Sequence, residues 1–416
     1  MNDLTRRSLL RAVAAFTTVF LVGTLAVYSV GRLTGGEPTG RTSSPSPSAS
    51  PSKPSGPITP EAWLVWVPGG LPDGFGPNLT TVPLVATETT ATADIAWLTQ
   101  SLDADGKVVD HPTDPYMIPI DVTGVEPTYA SFVSQPERRL VEDLQPGEGI
   151  LSESAAALRR LGEGATLRFH TADGTTSDIA VVGTLPDVLM GGYELLVTRG
   201  TGEDIGVTHE RYALFQVRPN ANPDPVELGG QFEPLLPIDA PYPEVEVRSP
   251  GDTKYLRAND RELPPVLLKR RFTEFTALPD PVDPTTLQMD PLWIQDHIAS
   301  QTLPVLGTVL CHTKTLFLLK QAMHLLTVNG DADLITDVGE CYVPVSSVDD
   351  PEGPLTARDF GAAISLNPQE NQPGEPPAQN YALIKTMYRW GFGWGGKDAF
   401  PQGALFRYRR PPTPPA

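Results

Sequence analysis

The sequence predicts an α+β protein that follows an N-terminal apolar segment. Short β-rich runs broken by turn signals fill residues 62–219. A helical stretch at 152–161 lies among them, with Ser152 placed as its N-cap. Further along, apolar residues between 316 and 326 recur at the spacing of one helix face. Strands and helices therefore alternate irregularly, which is typical of an α+β fold.

The first folded region is built from predicted strands separated by turns. The strands are 63–67, 165–169, 179–183 and 194–197. The sequence Ala-Asp-Gly at 172–174 lies between two of these runs and predicts a hairpin turn. The order of strand, helix and paired strands predicts an α+β domain here.

The N-terminal segment predicts a membrane anchor or an export signal. Residues 12–30 are apolar and uncharged, close to the roughly 20 residues that a helix needs to cross a bilayer. Arg6, Arg7 and Arg11 precede this run and only Arg32 follows it closely, so the N-terminus is expected in the cytoplasm. The paired arginines resemble a twin-arginine signal, so cleavage stays open beside an uncleaved single-pass anchor. Both alternatives place the bulk of the chain outside the cytoplasm, at the cell membrane.

Composition limits the partners and the redox chemistry. Residues 36–60 are rich in proline and serine and predict an extended, solvated tether. The net charge of −19 disfavours binding to nucleic acid, which needs a basic surface. Two cysteines, Cys311 and Cys341, predict one disulfide in an exported chain, with a pair of buried thiols as the alternative.

Several separated motifs occupy residues 263–410. Residues 303–312 are LPVLGTVLCH, and residues 339–344 are GECYVP. Residues 355–367 are LTARDFGAAISLN, and the sequence MYRWGFGWGG follows at 387–396. In this order the motifs resemble the D-Ala-D-Ala carboxypeptidase superfamily, the zinc peptidases of VanY type that act on peptidoglycan. The resemblance implies an α+β peptidase-type domain in this part of the chain, and in that family the two cysteines pair.

The chain has scaffold residues of the peptidase motif but lacks the residues that bind zinc and carry out catalysis in that family. The matching scaffold residues are Gly361, Ala363, Asn367, Trp390, Gly391, Phe392, Trp394, Gly395, Gly396 and Phe406. The changed functional positions are Val345 for the family arginine, Arg358 and Leu405 for the zinc histidines, Ser365 for the aspartate and Gln402 for the general acid/base.

These changes decide the chemistry that the resemblance implies. A catalytic zinc needs three protein donors, whereas arginine repels a cation and leucine has no lone pair. Gln402 cannot accept a proton, so general base catalysis is missing too. The resemblance therefore implies no catalytic residue, no bound metal and no cofactor.

Three aromatic residues and one arginine remain at the altered site. Trp390, Phe392 and Trp394 would floor the old substrate groove, or would serve packing alone. Arg358 would bind a carboxylate of a ligand, or would pair internally with Asp359 or another acid. The basic residues near the C-terminus are predicted to form a solvated surface run, and they are Arg407, Arg409 and Arg410.

The first folded region carries a second resemblance. Residues 120–132 (IDVTGVEPTYASF), 147–169 (GEGILSESAAALRRLGEGATLRF) and 181–185 (VVGTL) resemble the periplasmic core domain of MacB/FtsX-type transporter subunits. Such domains dock, sense or transmit force, and they are not enzymes. The resemblance implies a non-enzymatic ectodomain.

The predicted organisation has six segments. They are an anchor or signal (1–35), a tether (36–60), a MacB-core-like α+β domain (61–220), a Pro-rich connector with a strand near 244–248 (221–262), a VanY-type peptidase-like domain (263–410) and a tail (411–416).

Three functions follow from this organisation. The first is a membrane-tethered pseudo-peptidase that binds cell-wall peptide or an envelope protein without hydrolysis. The second is an active peptidoglycan D,D-carboxypeptidase or endopeptidase with non-standard metal ligands. The third is a structural or sensory subunit of a membrane complex, in which the first ectodomain docks and the C-terminal domain is a brace.

Overall fold

The computed structural model describes residues 62–252, 254–259, 261–283, 285–347 and 350–413. They belong to one compact unit, Pro57–Ala416. The predicted membrane segment at 12–30 and the tether lie outside the described residues. Within the described ranges, no helix has the length and apolar character needed to span a bilayer. Helices and strands are mixed throughout, so the predicted α+β class is confirmed.

The first half of the described chain is organised around one large sheet. Its strands are β1 (Trp63–Trp66), β2 (Val85–Leu102), β3 (Val108–Asp110), β4 (Ile118–Val125), β5 (Glu148–Ser152), β6 (Thr166–His170), β7 (Thr176–Leu185), β8 (Leu195–Thr198), β9 (Glu210–Val217) and β10 (Glu246–Arg248). The helices beside it are α1 (Phe75–Asn78), α2 (Arg138–Glu142), α3 (Glu153–Arg159), α4 (Arg199–Asp204) and α5 (Pro225–Phe232).

The sheet closes on itself. Its order is β10-β1-β9-β2-β4-β8-β5-β7-β6, and β6 also pairs with β2. The long strand β2 makes this possible, because a register shift between Leu98 and Gln100 re-aims it toward β6. Closure removes unpaired edges from the strands between β2 and β6. The short strand β3 pairs with β2 outside this ring.

Local sequence signals are confirmed in this half. The four predicted strands correspond to β1, β6, β7 and β8. Strands β6 and β7 form the predicted antiparallel hairpin. Helix α3 begins after Ser152, whose hydroxyl accepts a hydrogen bond from the Ala155 N–H at 3.1 Å. The strand predicted near 244–248 is β10, which pairs antiparallel with β1.

The C-terminal half has smaller sheets around a helical core. Its helices are α6 (Pro265–Phe272), α7 (Pro291–His297), α8 (Thr313–Asn329) and α9 (Tyr381–Arg389). Its strands are β11 (Ala277–Pro279), β12 (Leu287–Met289), β13 (Ile298–Leu303), β14 (Gly307–His312), β15 (Ala363–Ser365), β16 (Phe392–Gly395) and β17 (Gln402–Tyr408). The helix predicted at 316–326 is part of α8. The predicted disulfide joins Cys311 to Cys341, with an S–S distance of 2.06 Å.

His312 is the N-cap of α8 and is completely buried. Its Nδ1 accepts a hydrogen bond from the Lys314 N–H at 3.0 Å, and its Nε2 lies 2.8 Å from the Phe272 carbonyl oxygen. One nitrogen accepts and the other donates, which is the pattern of a neutral imidazole. Burial lowers the pKa of His312 to about 4.

This burial predicts a pH dependence of stability. Between pH 6.5 and 4, His312 binds a proton in the unfolded chain but stays unprotonated in the folded protein. The free energy of unfolding therefore falls as the pH drops. The contribution is on the order of 3 kcal/mol. We expect a His312→Asn variant, which keeps a capping oxygen but does not titrate, to lose this part of the slope. Urea unfolding at several pH values measures it, and His324→Asn on the exposed side of α8 is the control that should keep the slope.

The two halves share backbone and core contacts. Met117 and Ala277 exchange two backbone hydrogen bonds, of 3.0 and 2.8 Å. Val266 of α6 is buried in the core of the large sheet, while Ile95 of β2 is buried in the core of the C-terminal half. Each half therefore completes the core of the other.

A buried ion network, hereafter the seam network, lies at the same junction. Lys269 of α6 has no exposed side-chain surface, and its Nζ lies 2.5 Å from Glu194 Oε1 and 3.2 Å from Glu274 Oε1. Arg159 of α3 contacts Glu274 at 2.5 Å and Glu194 at 3.4 Å. Lys269 also donates a hydrogen bond to the Pro119 carbonyl oxygen. Because buried charges are tolerated only when paired, these groups hold α6 in one position against the sheet.

Candidate functional site

Two of the five predicted degenerate positions are paired across neighbouring strands. Ser365 of β15 lies directly opposite Leu405 of β17, and Gln402 is buried at the start of β17. In the adjoining loops, the Val345 N–H donates to the Asp359 carboxylate at 2.8 Å, beside Arg358.

Arg358 has an internal acid partner. Its Nη2 lies 3.3 Å from Glu352 Oε1, and about a third of its side chain remains exposed. The prediction of an internal pair is confirmed, with Glu352 as the partner. Asp359 instead accepts hydrogen bonds from the Thr356 N–H at 2.7 Å and from its hydroxyl at 3.1 Å. Those contacts fix the loop that carries Arg358. Burial raises the pKa of Asp359 to about 8.

The prediction of a solvated charge run near the C-terminus is wrong for Arg407. It is only 5% exposed, on a strand whose residues are all buried. Its guanidinium contacts Glu262, Asp398 at 2.6 Å and Glu352 at 3.6 Å. These three acidic side chains contact the guanidinium, which allows Arg407 to stay inside the fold. Arg409, two residues later, is exposed as expected.

Arg407, Glu262, Glu352 and Asp398 are hereafter the Arg407 cluster. Glu352 also pairs with Arg358, so the cluster connects the loop of Arg358 to β17. Burial raises the pKa of Glu262 to about 8, against the lowering effect of Arg407. Desolvation likewise raises the pKa of Asp398. The ionisable groups of the Arg407 cluster are therefore paired with one another.

The predicted aromatic floor is mainly core. Phe392 is 1% exposed and Trp390 is 9% exposed. Trp394 is half-buried, and its indole N–H donates to the Gly403 carbonyl oxygen at 2.7 Å. Phe392 offers no surface to a ligand, so the packing alternative describes it.

A metal site would need several donor side chains close together. No group of three His, Cys, Asp or Glu side chains in the described parts of the chain is placed to hold a metal ion.

Sequence reasoning missed the Arg407 cluster. One signal was present, because Arg407 follows Leu405 and Phe406 and precedes Tyr408 in an apolar strand pattern. An arginine at such a position needs acidic partners. Their identity could not be predicted, since Glu262 and Glu352 are distant along the chain.

Comparisons with known proteins give weak similarities. No protein-family model matches the chain, and no curated protein matches it. The periplasmic region of MacB from Actinobacillus actinomycetemcomitans aligns with 12% identity and a TM-score of 0.29, covering 45% of this chain and 88% of that one. A domain of a putative permease protein from Porphyromonas gingivalis aligns with 15% identity and a TM-score of 0.28, covering 47% and 90%.

A third similar structure is the extracellular domain of the noncanonic ABC-type transporter YknZ from Gram-positive bacteria. It aligns with 12% identity and a TM-score of 0.27, covering 42% of this chain and 91% of that one. These structures are of the type that residues 120–185 resemble, and none of the three is a peptidase. TM-scores this low do not establish a shared fold, so they carry no conclusion about function.

Proposed function

We propose that this protein is a non-enzymatic structural subunit of an extracytoplasmic membrane complex. In this proposal the large sheet docks the partner and the C-terminal half braces the sheet. The observation that carries the proposal is the seam network, which holds α6 of the C-terminal half against the sheet through the wholly buried Lys269.

The contacts at the predicted degenerate positions also support the proposal that the C-terminal half is a brace. Ser365 and Leu405 are paired strand positions, and Arg358 is held by Glu352. Each serves the internal structure of the C-terminal half rather than an open site. A brace needs such internal contacts, whereas a hydrolase needs donors that face its substrate.

Strand β3 is the proposed docking edge. It is outside the closed ring and pairs only with β2 among the described strands. Its Val108 and Val109 are 45% and 39% exposed. An exposed apolar edge strand is a template for pairing with a strand of another chain.

The test is site-specific photo-crosslinking of the full-length protein in its native membrane. A photoreactive residue at Val108 should capture an integral membrane protein, identified by mass spectrometry. The same residue at Phe317 on α8, which is 60% exposed, is the matched control and should not capture that protein. An Arg358→Ala change should leave capture at Val108 unaltered.

Other outcomes separate the alternatives. Capture of muropeptide fragments in place of a membrane protein, abolished by Arg358→Ala, would support the pseudo-peptidase. Cleavage of muropeptides that stops on chelation would support the active metallopeptidase. Either result overturns the proposal.

A further inference from the structure

A cleft of about 480 Å³ opens where the two halves meet, and we name it the seam cleft. Its volume lies within the roughly 300–1,000 Å³ of small-molecule sites, which often form at domain interfaces. The residues that line it and carry the argument are Trp97, His170 and Thr171 from the large sheet, with Thr285, Leu287 and Ser346 from the C-terminal half.

The sheet side of the cleft presents an aromatic ring beside an imidazole. Trp97 of β2 is directly opposite His170 of β6 in an antiparallel pair, so both side chains project from the same face. Both are half-buried, which leaves part of each ring accessible. Trp97 also packs against the C-terminal core, which limits its movement.

The opposite side of the cleft is a fixed backbone segment. Thr286 and Val345 form an antiparallel bridge, and the Ser346 N–H donates to the Thr285 carbonyl oxygen. Thr285 Oγ1 donates to Asp283 at 2.6 Å and can still accept a hydrogen bond. The hydroxyl residues Thr285 and Ser346 therefore line this side of the cleft.

The lining disfavours charged ligands. No lysine or arginine is among the described residues that line the cleft, so an anion finds no partner there. Asp94 is the carboxylate in the lining, and it is already engaged. Its Oδ1 accepts from the Ile95 N–H at 2.7 Å, and its Oδ2 lies 3.6 Å from His209 Nδ1. The remaining polar groups are hydroxyls and the His170 imidazole, which hydrogen-bond to neutral groups.

We infer that the seam cleft binds a neutral saccharide. Trp97 supplies a flat apolar surface for the C–H face of a sugar ring, because an indole combines a large apolar area with defined geometry. His170 and Ser346 supply hydrogen bonds to ring hydroxyls. This inference stands independently of the proposed docking at Val108, since the cleft and β3 are separate features.

The test is calorimetric titration of the purified full-length protein with maltotriose, cellotriose and triacetylchitotriose. At least one should bind, and Trp97→Ala should weaken that binding about tenfold or more, as truncation of an aromatic anchor does. His170→Ala provides a second variant that does not remove a core contact, and it should also weaken binding. Tyr381→Ala, at an exposed aromatic residue of α9 outside the cleft lining, is the matched control and should bind like the unaltered protein. Circular dichroism melts verify that each variant is folded.

Two results would overturn the inference. The first is that none of the trisaccharides binds; if a neutral capped tripeptide then binds, the cleft is assigned to peptide. The second is that binding is unchanged in both the Trp97→Ala and His170→Ala variants.

Discussion

Replacing Lys269 with methionine should lower the free energy of unfolding by about 3–5 kcal/mol, the usual cost of removing one member of a buried ion pair. Methionine keeps the volume and the apolar stem of lysine, so the loss reports the charge rather than a cavity. Glu194, which is also fully buried, would lose its contact with the Lys269 ammonium. The midpoint of urea unfolding measures the effect.

A surface pair provides the control for Lys269. Arg168 and Asp178 lie 2.7 Å apart with side chains 38% and 48% exposed. Arg168→Met should cost no more than about 1 kcal/mol, because water screens exposed pairs. The double variant Lys269→Met with Glu194→Gln should recover part of the loss, since the buried negative charge is then gone. Equal losses for Lys269→Met and Arg168→Met would show that the seam network does not hold the halves together.

Replacing Arg407 with methionine is expected to have a similarly large effect, again about 3–5 kcal/mol. Glu262 and Asp398 would lose their contacts with the guanidinium. Arg409→Met, at the exposed residue that follows β17, is the matched control and should change stability little. Urea unfolding at neutral pH measures both variants.

The Arg407 effect should depend on pH. Burial raises the pKa of Glu262 to about 8, so the folded protein holds a proton there between pH 4.5 and 8 that the unfolded chain has released. Stability from this group therefore falls as the pH rises through that window. Without Arg407, which opposes the shift, the pKa of Glu262 rises further and the fall in stability continues to higher pH. We expect the deficit of Arg407→Met to be larger at pH 9 than at pH 5, and a deficit independent of pH would contradict this account.

Local elements were predictable because their signals are local. The Ser152 cap, the hairpin at 172–174 and the one-sided apolar spacing of α8 each depend on residues within a few positions of one another. The disulfide was predictable for a different reason, since Cys311 and Cys341 are the two cysteines of the chain.

The seam network and the closed ring were not predictable in the same way. Lys269 and Glu194 are 75 residues apart, and nothing in the sequence around either one identifies its partner. Closure of the sheet depends on a bulge in β2 near Gln100, which leaves no compositional signal. At the candidate site, the apolar neighbours of Arg407 indicate that it is buried, but they do not identify Glu262 and Glu352 as its acidic partners.

The exchange of core residues has a consequence for how this gene can change. A fragment ending near residue 262 would keep Glu194 but lose Lys269, and would leave the space filled by Val266 open to water. Recombination that swapped either half for a distant counterpart would separate residues that compensate one another. We therefore expect the two halves to be inherited together, with substitutions at Lys269 accompanied by substitutions at Glu194.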